Sequence, residues 1–454
     1  MTLTTDRLLA CFAVLAIGCA AQPDTYDVPT RLPRSFVDGI APPPPENPEL
    51  APLVQKLAAK IGEPDLLTLG LAKNPDLDVL RQERKAARAR AYQAGLYVYN
   101  PQLFVGVDDL AVIDHHPQLG EGPYPGKQQY GILQQIEFPT KRGKRIDLAE
   151  AQVRGADSDF DAKERDVRTA VRTAFVDILA TQERLLVATK NHEITARLHE
   201  AAKARVEANA APSIEETKAE ADELKARNDM KAAERDVAIA KAQLAGVLGD
   251  PALSVGAMDG ALVQDGPELA FEGSKPVDAH PQLLSKGHAV DAAEANLEVQ
   301  KAAPLPDPLL TFDYNRIRGD TDTLTANLTI PLPIWNANQG GIRDAALSVD
   351  KARSELESTR TGLVTQYRQA ISLYETARAN ARLSREKALP ASEKSLALAE
   401  EGWKAGKFRY LDVLDAERTL TGARADYVTA LQDLNHAIIQ LESLTGKRVG
   451  ELGR

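Results

Sequence analysis

Apolar residues fall along this chain in two rhythms, and each rhythm is used twice. From Asp65 to Tyr97, Leu66, Leu69, Leu71, Leu77, Leu80 and several alanines keep spacings of three and four, the stripe of an amphipathic helix. Near Pro101 the rhythm changes to alternation, which predicts strands with one apolar face. It is clearest in the second half of the chain, where Leu310, Phe312 and Tyr314 take one side and Thr311, Asp313 and Asn315 the other. Leu324, Ala326, Leu328, Ile330 and Leu332 likewise alternate with Thr325, Asn327 and Thr329. In the first half Leu103, Val105 and Val107 alternate, as do Tyr130, Ile132 and Ile136, while Leu133 and Gln134 interrupt the pattern.

After Pro139, and again after Pro333, the helical spacing returns over about 143–206 and about 340–403. At ~1.5 Å per residue each run predicts a helix of roughly 95–100 Å, which needs neighbours along its whole length. Both runs turn back at short breaks, Asn209-Ala210-Ala211-Pro212-Ser213 and Ala405-Gly406-Lys407, into returning helices that end near Gly249 and Gly446. Asn209 and Gly406 hold matching places, and both residue types tolerate the left-handed conformation that ends a helix. Pro390 falls inside the second long helix and is expected to kink it, with no counterpart in the first.

Local motifs repeat in the same order. Asn74-Pro75-Asp76-Leu77 returns as His280-Pro281-Gln282-Leu283, Ile136-Glu137-Phe138-Pro139 as Ile330-Pro331-Leu332-Pro333, and Leu248-Gly249 as Thr445-Gly446. A separation of roughly 195 residues is far beyond a solenoid period, so the chain reads as two copies of one large unit. The first repeat covers 64–249, with a helix, a β-hairpin at 101–139 and a helical hairpin at 140–249. A connector at the equator takes 250–275. The second repeat covers 276–446, with a helix, a β-hairpin at 308–333 and a helical hairpin at 337–446, and 447–454 form a tail.

Composition narrows the function. Aromatics make up only 5% while Ala, Leu, Glu, Lys and Arg dominate the long middle stretches, which favours long helices over a globular enzyme core. A net charge of −10, with no unopposed Lys/Arg cluster, argues against a nucleic-acid partner. No Gly-rich phosphate loop, nucleophile elbow or metal-spaced His/Cys set is present, so neither an enzyme nor a cofactor is expected. His192 and His199 lie two helical turns apart, ~10 Å, too far to share one ion, and read as surface residues. His115-His116 sits in a Gly- and Pro-rich loop where adjacent side chains diverge, so exposure is the better reading than a metal site. Three methionines are too few for a Cu(I) cluster, and no resident metal is expected.

The N-terminus carries Arg7, an apolar run from Leu8 to Ile17 and then Gly18-Cys19, the layout of a secretory signal. Ala16-Ile17-Gly18-Cys19 resembles the lipobox of bacterial lipoproteins, so residues 1–18 are expected to be removed and Cys19 to carry the lipid. Leu8-Leu9-Ala10-Cys11 has the same form behind too short an apolar stretch, and an ordinary signal cut near Ala21 is the alternative. Residues 19–63 then form a lipidated N-terminus and a proline-rich linker that includes Pro42-Pro43-Pro44-Pro45. No later run approaches the ~18–20 apolar residues of a spanning helix, so any membrane crossing must use strands. Alternating strands of ~9–11 residues suit a barrel with lipid outside and water inside.

Three segments carry a family resemblance over about 65–446. They are Asn74-Pro75-Asp76-Leu77, the strand exit Pro331-Leu332-Pro333-Ile334-Trp335-Asn336-Ala337-Asn338-Gln339-Gly340, and the tip from Gly406 to Glu417 with Leu411-Asp412-Val413-Leu414-Asp415-Ala416. Together they resemble the TolC family of outer-membrane channels, and within it the branch that serves heavy-metal resistance pumps of the cobalt-zinc-cadmium type. The resemblance implies a mainly α fold with a small β part: duplicated long helical hairpins forming a trimeric periplasmic α-barrel, with four strands per chain completing a 12-stranded outer-membrane β-barrel. It implies a homotrimer anchored in outer-membrane lipid, working with a periplasmic adaptor and an inner-membrane pump of the resistance-nodulation-division (RND) type.

By the same resemblance the tip is the periplasmic entrance. Its acids fall on Asp412 and Asp415, which share one helix face and would give six carboxylates in a trimer. Glu215 and Glu216 stand at the matching level of the first hairpin. Of the family's aromatic and arginine that lock the closed entrance, Trp403 fits the first, whereas Phe408 stands at the second place and Arg409 one residue on. The adaptor would dock at Asn209, Ala210, Gly406 and Lys407. The same fold could export organic compounds or a polypeptide. A periplasmic adaptor or other structural coiled coil is the alternative outside the channel class, and the duplication counts against it.

Overall fold

The computed structural model describes residues 50–108, 127–271, 273, 275–317 and 322–452. The signal segment, Cys11, Cys19, the linker up to residue 49, His115, His116 and Arg318-Gly319-Asp320 lie outside the described residues. In chain order the elements begin α1 (Ala51–Ala59), β1 (Lys60–Gly62), α2 (Glu63–Lys73), α3 (Pro75–Gly95), β2 (Gln102–Asp108), β3 (Lys127–Gln135), α4 (Pro139–Glu207) and α5 (Ser213–Val247). After β4 (Ala257–Asp259) come α6 (Pro281–Ala302), β5 (Leu309–Ile317), β6 (Thr323–Thr329) and α7 (Gln339–Leu383). A π-helical turn (Ser384–Ala388) leads to α8 (Leu389–Lys404), and α9 (Tyr410–Thr445) and α10 (Val449–Leu452) complete the chain. No helix among the described residues is long and apolar enough to cross a membrane.

The helix expected to run unbroken from Asp65 to Tyr97 is two helices, parted at Asn74. Pro75 restricts the residue before it to extended backbone, and Asn74 obeys with φ −63° and ψ 121°. Its side-chain Oδ1 then accepts the N–H groups of Asp76 at 3.0 Å and Leu77 at 3.4 Å, and its side-chain Nδ2 donates to the Val247 carbonyl at 2.9 Å. His280 repeats the device before Pro281, with Nδ1 accepting from the Gln282 N–H at 3.3 Å. One motif therefore starts a helix in each repeat.

The four long strands form one antiparallel sheet in the order β2-β3-β5-β6. Cross-strand rows run Val105, Tyr130, Tyr314, Leu324 and Leu103, Ile132, Phe312, Ala326 on one face. The opposite face carries the row Phe104, Gly131, Asp313, Thr325. The burial is inverted relative to a water-soluble sheet: Leu103 is 73% and Leu324 81% exposed, whereas Asp313 and Asn315 are buried. The interruption at Leu133 and Gln134 also resolves. Leu133 belongs to the polar face, in register with Thr311, and Gln134 to the apolar one, in register with Leu310. The Gln134 amide is spent on the carbonyls of Tyr99 at 3.2 Å and Gln135 at 2.7 Å. Among the described residues, strands β2 and β6 each have one unpaired edge.

Helix α4 has 69 residues and so extends about 100 Å. It packs on α3, α5 and α6, while α9 packs on α7, α8 and α4 and so joins the two hairpins. Asn209 (φ 56°) and Gly406 (φ 71°) take the left-handed conformation at the two turns. Pro390 does not break its helix. The π turn just before it directs the Leu389 N–H to the Ser384 carbonyl, and the backbone stays helical on both sides. The wider turn takes up a residue that can neither donate nor fit an ordinary turn at that place.

The main core lies around the middle of the helices, where Leu57, Leu66, Leu69, Leu77, Val171, Ile178, Leu244, Leu248, Tyr374, Leu434 and Leu441 are buried. β1 pairs in parallel with β4, bringing Ile61 beside Met258, and the segment after β4 straps the helices. Asn435 holds Val263 through both its N–H and its carbonyl at 3.0 Å each, and the Tyr374 hydroxyl donates to the Pro267 carbonyl at 2.7 Å. If Asn74 is the hinge that seats α3 in this core, Asn74→Ala should cost about 1 kcal/mol locally. Amide exchange at Asp76 and Leu77 is then expected to quicken roughly fivefold. An unchanged rate would show that the cap is idle.

Candidate functional site

The candidate site is the tip where the two helical hairpins turn. At the first turn the Ala210 N–H reaches back to the Arg205 carbonyl at 2.8 Å, and at the second the Lys407 N–H reaches the Gly402 carbonyl at 2.8 Å. Phe408 folds across Gly402, where a Cβ would stand 2.2 Å from its ring, so this position has no room for a side chain. Asn209, Ala210, Gly406 and Lys407 are all exposed at the extreme end.

Trp403 is buried in a second, smaller core with Leu198, Ala202, Ala219, Leu396, Ala399, Val413 and Leu420. Its ring meets Tyr410 edge-on at 6.2 Å, and the Arg205 guanidinium lies 5.0 Å above it. Arg205 in turn faces the Glu215 carboxylate at 3.6 Å. These contacts link α4, α5, α8 and α9, so Trp403 is a packing centre between the hairpins as well as a neighbour of the turn. Burial pushes the Tyr410 hydroxyl up to about 12, which keeps it neutral.

Asp412 and Asp415 are exposed on one face of α9 and share a groove of ≈ 460 Å³ with Ser395, Leu398, Phe408 and Thr419. Asp412 has a structural duty too, since its carboxylate accepts the Arg409 N–H at 2.8 Å and caps the helix. Arg409 is exposed beside them, Glu216 is half-buried, and Glu215 is turned toward Arg205. The structure therefore brings Asp412, Asp415 and Arg409 together, with Glu215 held against Arg205 within the first hairpin instead. A larger groove of ≈ 820 Å³ lies near the middle of the helices, where Arg172 is already spent on Glu63 at 2.7 Å and Glu442 at 2.6 Å.

Two features escaped the sequence reading. Glu417 is 2% exposed inside the tip, where the Thr421 hydroxyl donates to it at 2.7 Å. Burial raises its carboxyl above the ordinary range, and nearby Asp222 adds to the effect while Arg418 and Arg424 oppose it. Its place three and four residues after Leu414 and Val413 put it on the apolar stripe, a signal available in the sequence. Across the hairpins, Arg418 pairs with Asp222 at 2.7 Å. His199, read as a surface residue, is half-buried with Nδ1 2.5 Å from Glu223. Among the described residues no three His, Cys, Asp or Glu side chains converge as a metal site.

The decisive observation is a match to a family profile described as outer membrane efflux protein, made twice, over residues 66–250 and 277–447. The chain belongs to that family. It is an outer-membrane efflux channel of the TolC type, and its family members are channels rather than enzymes. The cobalt-zinc-cadmium resistance protein CzcC of Cupriavidus metallidurans is 30% identical over 386 residues, spanning 84% of this chain and 89% of that one. The nickel-cobalt-cadmium resistance protein NccC of Alcaligenes xylosoxydans is 25% identical over 312 residues, 68% of this chain and 69% of its own. Among solved structures, the CmeC outer membrane channel of Campylobacter jejuni shares the fold at TM-score 0.72 and 15% identity, covering 86% of each chain.

The buried acid of this channel's tip makes a pH prediction. With its carboxyl raised, the folded tip holds the Glu417 proton more tightly than the unfolded chain does, so stability falls as pH rises from the ordinary Glu range through the raised value. Glu417→Gln keeps the acceptor for Thr421 and removes that loss. It is expected to slow amide exchange in the first turns of α9 a few-fold at neutral pH, with the difference vanishing under acidic conditions. A difference that persists at low pH would assign the effect to packing.

Proposed function

We propose that this channel is the passive exit duct of a three-component pump and that its cargo is divalent heavy-metal cations. The observation that carries the duct is the inverted four-stranded sheet: its apolar face is exposed, Asp313 and Asn315 on its polar face are buried, and among the described residues both edges lack a partner. Three copies closing edge to edge give a 12-stranded barrel with lipid outside and water inside. The helical hairpins then line a tunnel through the periplasm, and Cys19 anchors the mature N-terminus by its lipid. Export needs an inner-membrane pump of the RND type for energy. A periplasmic adaptor docks on the turns at Asn209, Ala210, Gly406 and Lys407.

The metal cargo is supported by the relatives named for cobalt, zinc, cadmium and nickel resistance. It fits the chemistry of the tip, where Asp412 and Asp415 from three copies would surround the entrance with six carboxylates. Such a ring concentrates cations and passes them on. Trp403 with Arg205, and Arg418 with Asp222, hold the two hairpins together and so set how far the entrance opens, with Glu215 steadying Arg205; Arg409 and Glu216 supply charge at its rim.

In planar bilayers the wild-type protein is expected to conduct and to prefer cations. Asp412→Asn with Asp415→Asn should shift the reversal potential toward zero under a salt gradient while leaving the channel open. An unchanged reversal potential would remove these aspartates from the entrance. Cells lacking the chain should lose tolerance to cobalt, zinc and cadmium salts; loss of tolerance to organic compounds alone would overturn the cargo.

A further inference from the structure

The strand register fixes a level in the molecule. Gln135, Leu309 and Thr329 share the last row of the sheet on the side where the long helices begin. Tyr97 and Trp335 lie just beyond that row, in segments that join strands and helices, and Arg142 lies in the first turn of α4. Here the apolar outer face of the sheet continues as a girdle: Leu96, Tyr97, Val98, Ile334 and Trp335 are exposed, Tyr97 by 69% and Trp335 by 89%. Aromatic side chains at such a level mark the boundary between hydrocarbon and headgroups.

The first turns of α4 add four cations at this level, and three of them are spent. Lys141 pairs with Asp307 at 2.9 Å, Lys144 with Glu298 at 3.5 Å, and Arg145 with Glu137. Arg142 has no carboxylate partner among the described residues. Its guanidinium lies 4.8 Å over the Tyr97 ring, and its Nε is buried without a hydrogen-bond partner. Stacking holds the fork in one plane, and among the described residues no acceptor takes its N–H donors; a fork of this kind matches the oxygens of a phosphate.

We propose that Arg142, stacked on Tyr97, binds the phosphate of a phospholipid headgroup in the periplasmic leaflet. Tyr97 leads into edge strand β2 and Trp335 follows edge strand β6. Closing β6 of one copy on β2 of the next brings both to each seam, so a trimer holds three such lipids, with Trp335 against the acyl chains. The stoichiometry rests on the trimer of the proposed function; the Arg142 site itself does not.

Native mass spectrometry of the full-length protein released from detergent tests this. Dioleoyl phosphatidylglycerol is the probe, diacylglycerol with the same tails is the control lacking phosphate, and inorganic phosphate is the competitor. Wild type is expected to retain up to three phosphatidylglycerols per trimer and no diacylglycerol. Arg142→Gln should weaken retention by about tenfold, the loss of one charge-assisted contact. Lys144→Gln, whose cation is already paired, should leave it unchanged. Should Arg142→Gln fail to assemble, Tyr97→Ala gives the same reading by unstacking the fork. An intact trimer whose lipid count ignores both variants overturns the site. Displacement of the lipid by inorganic phosphate identifies a free-phosphate site and overturns the lipid assignment. A wild-type protein that never assembles as three copies overturns the trimer, and the Arg142 dependence is then read on whatever species forms.

Discussion

Two open strand edges govern this molecule. Within the hydrocarbon of a membrane an unpaired backbone N–H or C=O has no water to turn to, so a four-stranded sheet with apolar flanks cannot stand there alone. Nor can it stand in water with Leu103 and Leu324 bare and Asp313 buried. Both problems have one solution, which is closure of the sheet with further copies of itself. The helical part follows the same logic, since hairpins about 100 Å long bury too little against each other and want neighbours around a ring.

Duplication lets one chain meet these demands with one plan used twice. In each copy a proline preceded by Asn74 or His280 starts the helix that leads up to the sheet, and a left-handed residue, Asn209 or Gly406, returns the long helix at the other end. The copies are bound by the β3–β5 pairing at one end, the core around Tyr374 and Leu434 in the middle, and the contacts of Trp403 with Arg205 and of Arg418 with Asp222 at the tip. The tip core is small and rich in charged groups, including a buried Glu417 that opposes its own ionisation. In a region so bound, local opening costs less than in the main core.

Most of this architecture was legible in the sequence because hydrophobic period and turn chemistry are local. The strand faces and the long hairpins could be read from spacing, and the left-handed turns from the residue types at Asn209 and Gly406. The split at Asn74 was missed because the periodicity of Leu66, Leu69 and Leu77 runs across it, although Pro75 carried the signal. Pro390 was expected to kink its helix, and instead a π turn takes it up with helix on both sides, which depends on neighbours that spacing does not reveal. At the tip the exposed acids were visible, and the apolar stripe that carries Glu417 was readable though not read, whereas the Arg205–Trp403 contact and the Arg418–Asp222 pair join residues far apart in sequence. Long-range pairs of that kind leave no local pattern.

Closure of the open edges is the claim on which the rest depends, and cysteine cross-linking tests it most directly. A chain carrying Leu103→Cys on β2 and one cysteine scanned along β6 from Leu324 to Leu328 can bridge only between copies, because β3 and β5 separate the two strands within a chain. Oxidation in outer-membrane fractions is expected to give a ladder that stops at three copies. Higher polymers, bare dimers or no cross-link at any β6 position would contradict the closed barrel.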